Sequence, residues 1–288
     1  MEGPLEIQKL ERAFQGLIRR HESLRTSFIL ENNTPRQNIH DSVDFKVELM
    51  ERGGRSDEEI MTSFVRKFDL AKAPLFRIGL MKLEENRHIS LFDMHHLISD
   101  GVSIGIILEE LARLYKGEQL PELRLQYKDY AVWQSGQVAE GYQKDRTYWK
   151  EAFAGELPVL QLLSDYPRPP VQSFEGDRVS IKLDEGLKNR LNRLAEQNDA
   201  TLYMVMLSAY YTLLSKYTGQ DDIIVGTPSA GRNHSDTEGI VGMFVNTLAI
   251  RGEVKQDETF TDLITRVRKQ VLDAFLIRII RLSGLLKI

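Results

Sequence analysis

The sequence predicts an α/β protein whose helices and strands are layered against each other. Segments with apolar residues at helical spacing alternate along the chain with short runs rich in β-branched and aromatic residues. Such interleaving argues against a helical bundle and against a β-sandwich. The 288 residues are enough for one large domain or two modest ones, with a core that needs no disulfide.

The elements can be placed in order along the chain. Helical spacing is clearest at residues 5–20, 56–67, 103–115, 129–153, 185–197, 202–217 and 259–275. Strand-like runs lie between the helices, at residues 26–30, 45–50, 75–82, 88–94, 178–183, 223–226 and 245–250. No cationic leader precedes the first helix, so we expect no signal peptide.

A proline-rich stretch marks the expected boundary between two domains. Pro167, Pro169 and Pro170 fall within four residues, cannot continue a helix and favour an extended spacer. We therefore expect a first domain at residues 1–165 and a second at residues 166–275.

The composition argues against several classes of function. Lys and Arg number 38 and Asp and Glu 42, and the resulting net charge of −4 provides no basic field for gripping nucleic acid. The lack of cysteine excludes thiolate nucleophiles, thiolate zinc sites and iron–sulfur clusters, and it agrees with a reducing, cytoplasmic location. No run of about 18 apolar residues suggests a membrane span.

The most informative segment for function runs from Met94 to Ser103, after a predicted strand and into a predicted helix. It contains the adjacent histidines His95 and His96. Neighbouring side chains on an extended strand point to opposite faces, which places His96 on the face of Phe92 and Met94 and argues against a shared metal. We therefore expect different roles for the two histidines.

A structural explanation competes with a functional one here. One histidine could be a hydrogen-bonded core residue, and Ser99 or Asp100 could serve only as a helix cap. The functional interpretation is favoured by the aspartate four residues after His96, followed by a glycine, in a sharp strand-to-helix turn. An aspartate at this position can hold the turn through a charged partner, and Gly101 tolerates backbone angles that other residues avoid.

This pattern of His-His, three residues and Asp-Gly resembles a motif of the condensation domains of nonribosomal peptide synthetases. Four further segments resemble motifs of that family, in the family's order. They are residues 20–28 (Arg-His-Glu-Ser-Leu-Arg-Thr-Ser-Phe), 127–134 (Tyr-Lys-Asp-Tyr-Ala-Val-Trp-Gln), 225–232 (Val-Gly-Thr-Pro-Ser-Ala-Gly-Arg) and 242–251 (Gly-Met-Phe-Val-Asn-Thr-Leu-Ala-Ile-Arg). The histidine motif alone would be shared with several acyltransferases, but five motifs in order are far beyond chance.

The resemblance implies a fold and a reaction. Two lobes similar to chloramphenicol acetyltransferase would form a V with a channel between them, residues 1–165 being the N-terminal lobe and 166–275 the C-terminal lobe. Donor and acceptor carrier domains would dock at opposite ends and present thioesters on 4′-phosphopantetheine arms. The acceptor amine would then attack the donor thioester. The domain itself would bind no cofactor and no metal, and an adenylation domain would be adjacent.

The resemblance also implies catalytic residues. His96 would act either as the general base toward the amine or as a hydrogen-bonding group that positions the amine. The same motif supplies the other expected members of the catalytic site, which are His95, Asp100 and Gly101.

Structural and channel residues are implied as well. Arg232 would form a buried pair with Asp100, since an always-charged guanidinium beside a buried carboxylate explains both residues. Asn246 is a lone polar residue on a predicted strand and would line the channel. The remaining residues of this kind are Arg25 and Ser103.

Structural explanations of the other motifs remain open. Arg25 could take part only in a solvated ion pair. Tyr130 and Trp133 lie three residues apart on a predicted helix, a spacing more typical of two core residues than of a substrate contact.

Two features depart from the family pattern. The family's opening strand, helix and Ser-x-Ala-Gln-x-Arg motif have no counterpart in the chain. Residues 276–288 contain no acidic residue, where the family continues His-Gln-Asp-Tyr-Pro-Phe-Glu. With codons chosen freely, residues 276–288 can be back-translated so that a frame shifted by one base reads Gln-Asp-Tyr-Pro-Phe-Glu. We therefore expect residues 276–288 to be an out-of-frame tail and the chain to be a fragment.

Three functions are therefore open. The first is an amide-forming condensation domain, or a fragment of one. The second is a stand-alone acyltransferase of the same fold that uses coenzyme A thioesters and a hydroxyl acceptor. The third is an inactive module that only binds carrier proteins. The motifs beyond the histidine segment favour the first.

Overall fold

The helices follow the apolar periodicity of the sequence. The computed structural model describes residues 2–140, 142–167, 169–171, 173, 176–232 and 234–277. In that part of the chain the α-helices are α1 (Ile7–Arg20), α2 (Asp57–Phe64), α3 (Gly101–Lys116), α4 (Tyr127–Glu140), α5 (Tyr142–Ala152), α6 (Glu185–Gln197), α7 (Leu202–Thr218) and α8 (Phe260–Leu276). The predicted helices are confirmed, with the segment expected at 129–153 described as α4 and α5 on either side of residue 141.

The strands agree with the sequence less completely. They are β1 (Thr26–Glu31), β2 (Thr34–Ile39), β3 (Glu48–Met50), β4 (Phe76–Glu84), β5 (Arg87–Met94), β6 (Asp222–Ser229) and β7 (Asn246–Glu253). The prediction of a strand at residues 178–183 is wrong. Val179 and Ile181 are almost fully exposed there and no strand pairs with them among the described residues. A β-branched run forms a strand only where a neighbouring strand accepts its hydrogen bonds.

One strand was missed because its residues are polar. β2 pairs antiparallel with β1 along its whole length, from Thr26 opposite Ile39 to Glu31 opposite Thr34. The two-residue turn between them is Asn32-Asn33, and both residues have positive φ, 50° and 59°. Asparagine tolerates this conformation, which two-residue hairpin turns require. The turn therefore specifies a hairpin that apolar patterning does not show.

A three-stranded sheet and α1 form the first core. β4 lies in the centre of the sheet, parallel to β3 and antiparallel to β5. One face of α1 is buried in the same cluster as β4 side chains. The buried residues of α1 recur at helical spacing, and they are Leu10, Ala13, Phe14, Leu17 and Ile18.

A hairpin and two helices form the second core. β6 pairs antiparallel with β7, from Asp222 opposite Glu253 to Ser229 opposite Asn246. Apolar residues of α7 and α8 are buried in one cluster with residues of both strands. Because an isolated hairpin is at best marginally stable, its stability depends on this helical cover.

The chain divides into two compact units. The first contains the residues up to Gln137 together with Ala230–Val245, and the second contains Val138–Ser229 together with the chain from Asn246 onward. This division falls at other points than the proline-rich stretch at residue 165. The physical reason is that the connection from β6 to β7 is hydrogen-bonded to α3 of the first unit, whereas prolines mark only where a helix cannot continue.

The prediction for residues 276–288 falls almost entirely outside the described residues, which end at Ile277. Within the described ranges, none of the helices combines the length and the apolar character that crossing a membrane would need.

Gly252 provides a test of the second core. A Cβ at this position of β7 would lie 2.6 Å from the ring of Tyr211, whose hydroxyl donates a hydrogen bond of 2.7 Å to the carbonyl of Ile250. Gly252→Ala must displace the ring. We expect it to lower the free energy of unfolding by about 1–3 kcal/mol, as overpacking does, and urea denaturation measures this change.

Gly105→Ala is the matched control. Apart from its chain neighbours and the adjacent backbone of its own helix, nothing lies within 4 Å of a Cβ built on this glycine of α3. The substitution should therefore be neutral or stabilising by about 0.5–1 kcal/mol. Equal effects of the two substitutions would contradict the close approach of Tyr211 to β7.

Candidate active site

The turn from β5 into α3 is closed by the side chain of Asp100. Asp100 is the N-cap of α3, and its Oδ1 accepts hydrogen bonds from the backbone N–H of Ser103 at 2.8 Å and from the Ser103 hydroxyl at 2.7 Å. A capping carboxylate satisfies donors that the first helical turn leaves unpaired, and its charge is favourable at the helix N-terminus. Asp100 is therefore a helix cap, as one explanation held, but capping is not its only role.

Asp100 also forms a buried ion pair with Arg232. Nη2 of Arg232 lies 3.2 Å from Oδ1 and 3.4 Å from Oδ2, and the two side chains are 6% and 0% exposed. Oδ2 accepts a further hydrogen bond from the backbone N–H of Phe244 at 3.1 Å. The structure thus brings together two residues that are 132 positions apart in the sequence.

Arg232 is held by the segment on which it lies. Its Nη1 donates to the backbone carbonyls of Thr237 and Ile240, the latter at 2.7 Å. Its guanidinium carbon lies 4.0 Å from the centre of the Phe244 ring, a cation–π arrangement. The planar guanidinium therefore spans the connection between β6 and β7 and turns one edge toward Asp100.

Ser103 joins the same network. Its hydroxyl oxygen accepts hydrogen bonds from Nη2 of Arg232 at 3.1 Å and from the backbone N–H of Gly242 at 3.0 Å. Its side chain is fully buried. Ser103 thus acts as a structural link between α3 and the segment that carries Arg232.

The surroundings of Asp100 favour its ionised form. Burial by itself raises the pKa of this carboxyl, but the two hydrogen bonds from Ser103, the charge of Arg232 and the N–H of Phe244 together lower the pKa below its usual range. Asp100 is therefore an anion at neutral pH and does not serve as a proton donor.

His96 is exposed at the beginning of the same turn. Its Nδ1 lies 2.9 Å from the backbone carbonyl oxygen of Ser99. A carbonyl can only accept, so Nδ1 carries the proton of the neutral ring and Nε2 keeps the free lone pair. One nitrogen thus orients the ring, and the other is available as a base or a hydrogen-bond acceptor.

His95 differs from its neighbour in environment and tautomer. It is half-buried, its ring meets that of Phe68 edge-on at 6.1 Å between centroids, and its Nδ1 accepts a hydrogen bond from the backbone N–H of Leu97 at 3.1 Å. In the neutral ring the proton is therefore on Nε2. β5 ends at Met94, so this turn, rather than strand alternation, distinguishes the two histidines.

Gly101 does not use the backbone freedom that glycine allows. It is the first residue of α3 and does not have a positive φ, so its backbone needs no conformation reserved for glycine. Apart from the chain neighbours and the adjacent helix backbone, a Cβ at this position would meet nothing within 4 Å. Gly101 thus leaves open space on the turn that carries His96.

The two other expected site residues lie elsewhere. Nη1 of Arg25 donates to the backbone carbonyl of His40 at 2.7 Å, and Nη2 lies 3.6 Å from a carboxylate oxygen of Glu22. The ion pair with Glu22 is therefore present, but both side chains are only 16% exposed, so the pair is not solvated. Asn246 opens β7 opposite Ser229 in the second unit.

Sequence reasoning missed Glu110, which anchors the 20–28 motif. Glu110 is buried on α3, where its carboxylate lies 3.0 Å from Nε of Arg20 and 2.6 Å from Nε2 of His21. Burial raises its pKa, but the bonds and charges of His21 and Arg20 together lower the pKa below its usual range. The available signal was a carboxylate on the apolar face of a helix, at positions shared with Ser103 and Ile107.

The 127–134 motif is partly structural. Tyr130 is buried against Phe244, with the ring centroids 4.4 Å apart, and the hydroxyl of Tyr127 donates to the carbonyl of Met243 at 2.7 Å. The expectation that Trp133 is a core residue is wrong, because it is 49% exposed. Helical spacing shows that two residues lie on the same face of a helix, but it does not show whether other parts of the fold bury both of them.

The fold and this turn define a domain of the chloramphenicol acetyltransferase-like class. The chain belongs to the family described as the Condensation domain, whose family model matches residues 1–282. It is 87% identical over 275 residues to surfactin synthase subunit 1 of Bacillus subtilis (strain 168), and this match covers 96% of the chain and 8% of the synthase. It is 50% identical over 276 residues to gramicidin S synthase 2 of Aneurinibacillus migulanus, which covers 96% of the chain and 6% of that protein.

Solved structures share the fold. The X-domain from teicoplanin biosynthesis superimposes with a TM-score of 0.88 at 25% identity, covering 99% of this chain and 66% of the X-domain chain. The first condensation domain of the calcium-dependent antibiotic synthetase, in complex with a substrate analogue, superimposes with a TM-score of 0.79 at 21% identity. That match covers 99% of this chain and 69% of the synthetase domain chain. The predicted fold class is therefore confirmed, while the chain spans less than a tenth of the length of the two synthases.

Removing the buried carboxylate tests the structural pair. Asp100→Ala leaves Arg232 buried and uncompensated and removes the α3 cap, so we expect a loss of about 3–5 kcal/mol in the free energy of unfolding. The control is Asp57→Ala, which breaks a pair with Arg52 in which both side chains are at least half exposed and should cost at most about 1 kcal/mol. Urea denaturation compares the two, and similar losses would contradict the pairing.

The lowered pKa of Asp100 predicts acid sensitivity with a definite sign. A carboxyl whose pKa is lower in the folded state adds stability above its unfolded pKa of about 4, and this stability is lost as the pH falls through the folded value. The stability difference between the parent chain and Asp100→Asn should therefore be largest near neutrality and should shrink below about pH 4. Urea denaturation across this range measures it, and a difference independent of pH would refute the ionised state.

Proposed function

We propose that the chain catalyses amide-bond formation between a donor aminoacyl or peptidyl thioester and the amine of an acceptor aminoacyl thioester. The observation that carries this proposal is the geometry of His96, whose ring is oriented by the Ser99 carbonyl and whose Nε2 is left free at an exposed position. Membership of the condensation family supports the choice of reaction.

The reaction needs one proton acceptor near the attacking nitrogen. The neutral amine attacks the thioester carbonyl carbon, a C–N bond forms and the C–S bond breaks. In the general-base form of the proposal, Nε2 of His96 takes one proton from the nitrogen and delivers it to the departing thiolate. An imidazole can carry out both transfers near neutral pH.

His96 could also act by position alone. A hydrogen bond from the amine to Nε2 would hold the nitrogen near the carbonyl, and effective molarity alone can account for a large rate gain. The two forms differ in their response to glutamine, which keeps a hydrogen-bond acceptor but takes no proton from the amine. His96→Gln should keep most of the rate if His96 only positions the amine and should lose the rate as His96→Ala does if His96 is the general base.

Partners and cofactor follow from the family. We infer that the thioesters are presented by donor and acceptor carrier domains through 4′-phosphopantetheine, that the domain holds no cofactor of its own, and that an adenylation domain is adjacent. A four-domain nonribosomal peptide synthetase shares this fold, which supports a multidomain setting for the chain. We place the reaction in the cytoplasm, which the cysteine-free composition suits.

His96→Ala tests the proposal. The chain is mixed with two carrier proteins loaded as aminoacyl phosphopantetheine thioesters, and mass spectrometry detects the dipeptidyl carrier. A second assay uses a chimera in which this chain replaces the matching residues of surfactin synthase subunit 1. We expect the substitution to lower the rate by about 10²–10⁴, without changing the free energy of unfolding, because His96 is exposed.

His234→Ala is the control, since this histidine is also exposed and should leave the rate unchanged. Product formation by His96→Ala at the parental rate would refute the assignment, as would absence of product from the parent chimera. Ester formation from an acyl coenzyme A and an alcohol, with no amide product, would instead support the stand-alone acyltransferase.

A further inference from the structure

A small apolar pocket lies between α4 and the connection from β6 to β7. Its volume is about 340 Å³, at the lower end of the range of roughly 300–1,000 Å³ that small-molecule sites occupy. Its apolar lining consists of Leu125, Tyr130, Trp133 and Ile240. All of these residues belong to the first compact unit. We call this cavity the Trp133 pocket.

Two aromatic rings form the α4 side of the pocket. The ring centroids of Tyr130 and Trp133 are 5.8 Å apart, with 34° between the ring planes. Tyr130 is buried, whereas Trp133 is 49% exposed. Aromatic rings contribute strongly to binding because of their large apolar area. A ring that entered the pocket would therefore bury apolar surface of Trp133 that the fold leaves exposed.

The other side of the pocket is held by buried hydrogen bonds. Thr237 and Ile240 line it, and their backbone carbonyls accept hydrogen bonds from Nη1 of Arg232. Arg232 is in turn paired with Asp100. The pocket is thus formed in advance by a buried network, and a preformed site avoids part of the entropic cost of binding.

The charged groups at the pocket favour a cation over an anion. Asp129, Asp236 and His234 line it. Asp236 is paired with Arg124, and its carboxylate lies 3.4 Å from Nδ1 of His234. The Asp129 carboxylate accepts the backbone N–H of Gln126 at 2.8 Å, and within the described ranges it forms no ion pair. One negative charge at the pocket is therefore unbalanced.

We propose that the Trp133 pocket binds a small aromatic amine, a molecule with one ring and one protonated amino group. The ring would pack against Trp133 and Tyr130, and the ammonium group would bind the carboxylate of Asp129. Ring faces also attract cations, so the aromatic side of the pocket favours the same charge. The pocket would bind this class of molecule whether or not the proposed reaction is correct.

The test uses the two tryptophans of the chain as reporters. The full chain is labelled with ¹⁵N-tryptophan, and the NMR resonances of the two indole N–H groups are followed while 2-phenylethylamine is added. Trp133 lines the pocket, whereas Trp149 is 2% exposed in the core of the second unit and serves as the internal control. Trp133→Phe assigns the two resonances.

Further probes and variants separate charge from shape. 3-Phenylpropionate carries a negative charge on the same ring, and 2-phenylethanol carries none. Asp129→Asn removes the charge at the pocket but keeps an oxygen that can accept the N–H of Gln126. The matched control is Asp57→Asn, which removes a charge on α2, outside the pocket. Circular dichroism verifies that both variants fold.

We expect 2-phenylethylamine to shift the Trp133 resonance to saturation, with a dissociation constant on the order of 1 mM or below, and to leave Trp149 unchanged. 2-Phenylethanol should bind about three- to fivefold more weakly, and 3-phenylpropionate more weakly still. Asp129→Asn should lower the affinity for the amine to that for the alcohol, and Asp57→Asn should not.

Three results would overturn the proposal. The first is a Trp133 resonance that does not move or does not saturate. The second is an equal shift of both tryptophan resonances, which would indicate binding without a specific site. The third is equal affinity for the amine and the alcohol in the parent chain, which would indicate an apolar pocket without a preference for charge.

Discussion

The ion pair between Asp100 and Arg232 is the interaction on which the candidate site depends. The carboxylate of Asp100 caps α3, receives the guanidinium and accepts the N–H of Phe244. Arg232 in turn donates to two carbonyls of its own segment. One carboxylate thus joins the turn after β5, the first turn of α3 and the connection between β6 and β7. Because these donors and acceptors are buried, loss of either partner leaves several of them unsatisfied at once.

A buried ion pair is weak evidence for stability, because desolvation can exceed the attraction between the charges. The hydrogen bonds around Asp100 offset that penalty, and they explain why its pKa is lowered despite burial. Arg20 and His21 offset the burial of Glu110 in the same way, further along α3. Two buried carboxylates, Asp100 at the N-cap of α3 and Glu110 in its third turn, therefore tie this helix to other segments of the chain.

The local sequence pattern was sufficient to predict the helices. It was insufficient to predict all of the strands and the contacts between residues distant in the sequence. α6 was predicted with its observed bounds because apolar periodicity and an N-cap are local. β2 was missed and the strand at 178–183 was wrongly predicted, because pairing with a neighbour decides whether a segment becomes a strand. The contact of Arg232 with Asp100 was expected only from the family resemblance, since no local pattern reports a contact across 132 residues. The exposure of Trp133 was misjudged because exposure depends on tertiary packing.

The site combines a buried part with an exposed part. Asp100 and Ser99 are buried, whereas His96 is exposed and Gly101 leaves space free. The two parts are joined by the backbone, because the Ser99 carbonyl that orients His96 belongs to the residue immediately before the helix cap. A disturbance of the ion pair would therefore reach the histidine through one peptide unit without touching a substrate. In the reaction proposed above, Asp100 is by this argument a positioning residue, and His96 is the group proposed to meet the reacting atoms.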